Sequence, residues 1–105
     1  MSYTLDLQKI ADELDFDLED VEMLLEVFLE GANDSMNELK SAIEVNDFES
    51  MYKLAHAIKG SAANLTLKEI SSIALEIEQN ARNKEIFDYQ KSYKKLEELL
   101  SAIED

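Results

Sequence analysis

The longest regular apolar pattern of the chain runs from Leu18 to Val45, where the sequence reads LEDVEMLLEVFLEGANDSMNELKSAIEV. Its apolar side chains recur every three or four positions, at Leu18, Val21, Leu25, Phe28, Ala32, Met36, Leu39 and Ile43, with Leu24 and Leu29 beside them. That spacing is typical of one face of an α-helix. Gly31 within it costs about 1 kcal/mol relative to alanine, which so regular a pattern can override. The stretch therefore predicts one helix over residues 18–45, roughly 40 Å long at ~1.5 Å per residue.

Four other segments have the same period of three or four residues. The helices predicted from them span residues 5–14, 48–64, 67–82 and 86–103. The apolar pattern of the last helix begins at Ile86. Asp6 lies at the start of the first helix and Asp17 comes just before the second, where an aspartate can cap the free backbone N–H groups.

Thr66 and Glu69 stand three residues apart at the start of the fourth predicted helix. A threonine followed by a glutamate at this spacing is typical of a capping box, in which each side chain accepts a hydrogen bond from the other residue's backbone N–H. We therefore expect Thr66 to be the first residue of a helix cap.

The composition predicts an all-α fold. The chain has 105 residues, no proline and only two glycines, and it has neither a hairpin dipeptide nor an alternating strand pattern. Long helices joined by short connections favour antiparallel packing. We expect an antiparallel up-down four-helix bundle with an additional short N-terminal helix as a lid, in a single domain over residues 1–105.

Charge and cysteine content argue against several classes of function. A formal net charge of −14 disfavours binding to nucleic acids and anionic membranes. The absence of cysteine excludes disulfides and thiol chemistry, and a single histidine makes a metal site improbable. No apolar run is long enough for a membrane span, and the N-terminus lacks a secretory signal pattern. We expect a cytoplasmic monomer with no cofactor.

The only histidine, His56, lies in a segment without acidic residues. No Asp or Glu occurs between Ser50 and Lys68, although the chain has 24 of them. Near neutral pH an imidazole can act as a nucleophile, a proton carrier or a ligand. A dianionic group could approach this segment without first meeting carboxylates.

The helical period places His56 about 100° from the core face of the third helix, on a flank exposed to water. Lys59, Gly60 and Ala63 share that flank, three, four and seven residues further on. Lys59 can neutralise a phosphoryl group on the imidazole. The small residues after it leave room for the backbone of another protein. An ordinary solvated lysine and close helix–helix packing are the alternatives for Lys59 and for the small residues.

Residues 56–65, HAIKGSAANL, resemble the signature of histidine phosphotransfer (HPt) domains, which is His-x-Leu-Lys-Gly-Ser followed by small residues and Leu. The five-helix layout is similar to that family over essentially the whole chain. The resemblance implies that His56 accepts a phosphoryl group, that Lys59 stabilises it, and that Gly60 gives access to the partner. Counting along the facing helix without gaps, it also implies that Glu78 orients the imidazole, with Gln79 next to it.

Two positions depart from the family pattern. Ile58 replaces the usual leucine, which is a conservative change in a core position. Thr66 stands where the family usually has glycine, and the predicted capping box gives a local reason for a threonine there. We expect a changed turn rather than a loss of activity.

The resemblance implies a phosphorelay intermediate. His56 would take a phosphoryl group from a receiver aspartate and pass it to another receiver, with Mg²⁺ on the receiver. The partners would be response-regulator receiver domains, for example the receiver of a hybrid sensor kinase. The expected docking residues are Tyr52, Lys53, Gly60, Ser61 and Ala63. The alternatives are an interaction module that binds a receiver without phosphotransfer and, less favoured because the flank offers no pocket, an autonomous hydrolase.

Overall fold

The chain folds into helices only, over the part that the structure describes. This computed structural model describes the backbone of residues 7–104 and the side chains of residues 7–103. The helices are α1 (Leu7–Leu14), α2 (Leu18–Glu44), α3 (Phe48–Asn64), α4 (Lys68–Arg82) and α5 (Tyr89–Glu104), and no strand occurs among these residues. The predicted all-α class is confirmed. The predicted Asp6 cap lies outside the described residues.

The four long helices form a closed bundle. Each of α2, α3 and α4 packs against the helix that follows it, and α5 returns to pack against α2. Because the connections are short, successive helices run antiparallel, as predicted. The short helix α1 packs against α2 and adds Ile10 and Ala11 to the common core. The long dimension of the molecule, 41 Å, is close to the length of α2 at ~1.5 Å per residue.

Buried side chains of the five helices and of the α3–α4 connection make one apolar core. Those with almost no exposed surface include Leu39, Met51, Ile58, Leu67, Ile70, Ile77 and Leu96. The core stripe predicted for α2 was too wide, because Leu18 and Leu24 are both exposed. Leu18 shares the core face of α2 with Leu25 but is the first residue of the helix, and Leu24 lies about 100° from Leu25, so the helical period alone could not show that either side chain stays in water.

Aspartate side chains cap two of the described helices. The Asp47 carboxylate accepts a hydrogen bond from the backbone N–H of Ser50 at 3.2 Å and caps α3. The Asp88 carboxylate accepts one from the backbone N–H of Lys91 at 3.0 Å, at the start of α5. Asp17 holds the N-cap position of α2, as predicted, but its side chain makes no capping hydrogen bond.

The predicted start of α5 at Ile86 was wrong. The helix begins three residues later, at Tyr89, and Ile86 is fully exposed. Phe87 and Tyr89 pack against each other edge to face instead, with ring centroids 5.2 Å apart. The apolar period continued through Ile86 by coincidence, because the Asp88 cap sets the helix start.

Helices α1 to α4 end in the same way, and none of these ends uses glycine. One residue just after each helix has a positive φ, and the residue following it donates a backbone hydrogen bond five residues back, the pattern of a Schellman motif. The positive φ values are 58° at Asp15, 55° at Asn46, 59° at Thr66 and 53° at Lys84. The hydrogen bonds, each 2.9 Å, run from Phe16 to Ala11, Asp47 to Ala42, Leu67 to Ala62 and Glu85 to Asn80.

The capping box predicted at Thr66 was therefore wrong. Thr66 closes the end of α3 in a left-handed conformation, whereas the N-cap of α4 is Leu67, without a side-chain capping bond. The missing family glycine has a plain structural meaning, since glycine is the residue that adopts this conformation without strain. Thr66 occupies the glycine position of the motif and keeps its geometry.

Candidate functional site

Helix α3 presents His56 to solvent. Its neighbours Ala55 and Ile58 are buried in the core, whereas the His56 side chain is 62% exposed. This agrees with the flank position expected from the helical period. A substitution of the imidazole therefore removes no core packing.

Helix α4 supplies a buried carboxylate to the imidazole. His56 Nδ1 lies 3.0 Å from Glu78 Oε2, and Glu78 is only 5% exposed. The two helices are tied together one turn along, where the Ser71 hydroxyl donates to the backbone carbonyl of Lys59 at 3.3 Å. Glu78 thus lies where the gapless count along the facing helix put it, and its part in chemistry remains a prediction.

Lys59 also contacts Glu78. Lys59 Nζ lies 2.7 Å from Glu78 Oε1, and only 27% of the lysine side chain is exposed. Oε1 is shielded from solvent and receives no well-aligned hydrogen bond, so the contact with Lys59 is an ion pair. The Lys59 ammonium, which was predicted to neutralise a phosphoryl group, is therefore already paired with a carboxylate.

Two further residues complete the cluster, in an arrangement that was not predicted from the sequence. Arg82 Nη2 lies 3.2 Å from Glu78 Oε2, on the same oxygen that faces His56. The guanidinium also lies over the Tyr52 ring, 5.1 Å from its centroid. The signal in the sequence was the spacing of four residues between Glu78 and Arg82, which is typical of helical ion pairs.

The surrounding positive charge keeps Glu78 ionised. Burial acts to raise the pKa of Glu78, but the Lys59 ammonium and the contact with His56 outweigh burial, and the pKa lies below its ordinary value. An ionised carboxylate only accepts hydrogen bonds. His56 Nδ1 must then carry the proton that it donates to Glu78, which leaves Nε2, across the ring, as the nitrogen with a free lone pair.

The residues predicted for docking lie around His56 in different environments. Ser61 and Ala63 are exposed, and a Cβ atom added at Gly60 would meet nothing within 4 Å. Lys53 is exposed and pairs with Glu49 at 2.8 Å, and this contact raises the pKa of Lys53. Tyr52 is half-buried beneath Arg82. The open space at Gly60 disfavours the close-packing alternative for that residue.

An apolar groove that the sequence did not predict lies between α2 and α3, next to the site. It is lined by Phe16, Leu24, Val27 and Gly31 together with Ala57 and Ser61 of α3. Phe16, Leu24 and Val27 are large apolar side chains exposed to water. Their exposure could be recognised only after α1, α2 and α3 had been placed relative to one another.

The described residues also bear on metals and membranes. Between residues 7 and 103 no group of three or more His, Asp or Glu side chains is placed to hold a metal ion. None of the helices in the described part of the chain is both long and apolar enough to cross a membrane.

The family model of the Hpt domain matches residues 23–105, which is more than half of the chain. The protein belongs to the Hpt domain family. The match begins within α2 and includes His56, Lys59, Glu78 and Arg82. Membership indicates a role in a phosphorelay of two-component signalling, with receiver domains as the general class of partner. Comparisons of this Hpt domain with curated proteins and with solved structures gave no significant match.

Proposed function

We propose that this protein carries a phosphoryl group on His56 between the aspartates of two receiver domains. The observation that carries the proposal is the 3.0 Å contact between His56 Nδ1 and the buried carboxylate of Glu78. This contact fixes the ring and leaves Nε2 as the nucleophile on a side chain that a partner can reach.

The transfer needs no cofactor on this chain. The lone pair of Nε2 attacks the phosphorus of the receiver's aspartyl phosphate, an N–P bond forms, and the bond from phosphorus to the aspartate oxygen breaks. The proton on Nδ1 stays on the ring, which becomes a phosphorylated imidazolium next to the Glu78 carboxylate. The second transfer reverses these bonds at another receiver aspartate, and the receiver supplies the Mg²⁺ that neutralises the moving group.

Glu78 favours this step because charge develops beside it. The neutral imidazole becomes cationic as the N–P bond forms, and an ionised carboxylate at 3.0 Å stabilises that charge. The same contact orients the ring before the reaction, so the step does not require reorientation of the imidazole. Lys59, one turn from His56, is the candidate for stabilising the phosphoryl oxygens.

The receiver would dock over the α2–α3 side of the site. The groove reaches α3 at Ala57 and Ser61, which are sequence neighbours of His56 and Gly60. A partner that binds in the groove would therefore lie close to the imidazole. An apolar patch exposed at this position favours a protein partner over a small molecule.

Phosphorylation of wild-type protein and of His56→Gln by a phosphorylated receiver tests the proposal. The wild type should gain an acid-labile phosphoryl group, and His56→Gln should gain none while its melting temperature stays within about 2 °C, because an exposed side chain is lost. Ser72, exposed on α4, gives the matched control Ser72→Ala, which should react like the wild type.

Phosphorylation of His56→Gln would overturn the assignment of the acceptor. Receiver binding by the wild type without any phosphoryl uptake would favour the alternative, an interaction module. The cytoplasmic location, the monomeric state and the single domain over residues 1–105 stay predictions of the sequence.

A further inference from the structure

Glu78 is a buried carboxylate with more than one positively charged partner. Lys59 lies at Oε1, whereas Arg82 and His56 share Oε2. When a buried carboxylate loses its only cationic partner, the fold is strongly destabilised. Because Glu78 has two cationic partners, either of them can leave while the other still neutralises the carboxylate.

The proposed function requires one of these cations to leave. Lys59 is paired with Glu78 while His56 carries no phosphoryl group. A phosphoryl dianion on His56 Nε2 would attract the Lys59 ammonium more strongly than a single carboxylate does. When Lys59 turns to the phosphoryl group, Glu78 Oε1 loses its ion pair, yet the carboxylate must keep its position to hold the imidazolium.

Arg82 is placed to remain behind. Its guanidinium has a second anchor, the Tyr52 ring at 5.1 Å, and Tyr52 precedes His56 by one helical turn on α3. A planar guanidinium can stack on an aromatic ring and bind a carboxylate at the same time, which a lysine ammonium does less well. Arg82 therefore connects the α3 and α4 sides of the site without using Lys59.

We propose that Arg82, seated on Tyr52, is a positioning residue that holds the Glu78 carboxylate against His56 Nδ1 while Lys59 exchanges Glu78 for the phosphoryl group. This inference rests on the proposed function. It assigns the two cations different tasks, since Lys59 moves with the phosphoryl group and Arg82 stays with Glu78.

The first test compares rates of phosphoryl uptake from one phosphorylated receiver. Arg82→Met should slow uptake about tenfold, because the imidazole is held less well. Arg82→Lys should recover part of that loss. Tyr52→Leu should slow uptake by about threefold, and Tyr52→Phe, which keeps the ring, should slow it less than Tyr52→Leu does.

The second test asks whether Arg82 acts through Glu78. In a double-mutant cycle, Arg82→Met should cause little further loss in a Glu78→Gln protein, since the carboxylate it positions is gone. The ¹⁵N chemical shifts of the unphosphorylated His56 ring give a readout besides activity. Arg82→Met should lower the fraction of the ring that is protonated at Nδ1, and Arg82→Lys should restore part of it.

The outcomes separate this inference from the proposed function. Absence of phosphoryl uptake by the wild type would refute the proposed function itself. Normal uptake by both the wild type and Arg82→Met, with an unchanged ring tautomer, would refute only the role of Arg82. An equal loss from Arg82→Met in the wild-type protein and in the Glu78→Gln protein would also refute it, because Arg82 would then act on the receiver directly.

Discussion

At the scale of single residues, substitutions of Gly60 should affect the stability of the helix and the access of a receiver to His56 in opposite directions. It lies inside α3, one turn after His56, and a Cβ there would meet nothing within 4 Å. Gly60→Ala should therefore raise the free energy of unfolding by about 1 kcal/mol, measured by urea denaturation. It should nevertheless slow exchange with a receiver, and the longer side chain of Gly60→Gln should slow it more.

Ser101→Ala is the control for this prediction. Ser101 is an exposed residue of α5, where alanine also favours the helix. This variant should gain stability with no change in exchange. If Gly60→Gln exchanged phosphoryl groups at the wild-type rate, the receiver would not approach over α3 at this point.

Glu78 should make the stability of the fold depend on pH. Its pKa is lowered in the folded protein from an ordinary value of 4.5, because burial, which raises the pKa, is outweighed by the Lys59 and His56 contacts. The unfolded chain therefore takes up a proton first as the pH falls. The stabilisation by Glu78 is complete above pH 4.5 and is lost as the pH falls through the folded pKa.

Glu78→Gln tests this dependence. The variant should be less stable than the wild type by about 1–2 kcal/mol near pH 5.5, and the difference should shrink towards pH 3. Urea denaturation of both proteins over this range gives the difference directly, and the many exposed carboxylates contribute equally to both. A difference that is independent of pH would show that Glu78 stabilises the fold by packing rather than by charge.

At the scale of elements, the helix ends show how a chain with two glycines makes four tight turns. The left-handed positions hold Asp15, Asn46, Thr66 and Lys84. Asparagine and aspartate tolerate this conformation, whereas a β-branched residue such as threonine is strained in it. Both glycines lie within helices instead, so the usual placement of glycine at helix ends gave no guide to these turns.

Thr66→Gly should stabilise the protein. Relief of the left-handed strain outweighs the greater freedom of glycine in the unfolded chain, for a net gain of about 0.5–1 kcal/mol. Thr66→Ala keeps a Cβ atom and should gain less, and Asn46→Gly should also gain less because asparagine tolerates a positive φ. Thermal unfolding of the three variants gives the order. A loss of stability in Thr66→Gly would mean that the threonine side chain makes a contact worth more than the strain.

At the scale of the whole molecule, α2 provides a matched pair of exposed valines. Val27 lies in the groove beside α3 and is 69% exposed. Val45 follows the C-terminal end of α2 and is 73% exposed. Neither contributes much to the core, so replacement by glutamine should leave the melting temperature nearly unchanged. Only one of the two belongs to the proposed docking surface.

Val27→Gln should weaken receiver binding by about tenfold, because an apolar contact is replaced by a polar side chain that must lose its water. Val45→Gln should bind like the wild type. Titration calorimetry with an unphosphorylated receiver measures both affinities. Equal affinities for the two variants would place the receiver away from the groove, and the exposed apolar residues of α2 would then need another explanation.

The sequence by itself determined the helices and the exposed position of His56. Both follow from local rules, because a period of 3.6 residues fixes which side chains share a helix face. Where the local rules failed, another interaction had set the boundary. The Asp88 cap sets the start of α5 after Ile86. Thr66 adopts a positive φ and so belongs to the end of α3 rather than to the start of α4.

Only the tertiary structure decided which side chains of α3 pair with Glu78. His56 and Lys59 lie on α3, so their contacts with Glu78 depend on the depth and rotation with which α4 packs on α3, whereas Arg82 pairs with Glu78 within α4. A shift of one helical turn would separate Glu78 from His56 and Lys59 while leaving each apolar stripe buried. The exposure of the groove also depends on how the helices pack, since a periodic pattern shows which face is apolar but not whether a neighbouring helix covers it.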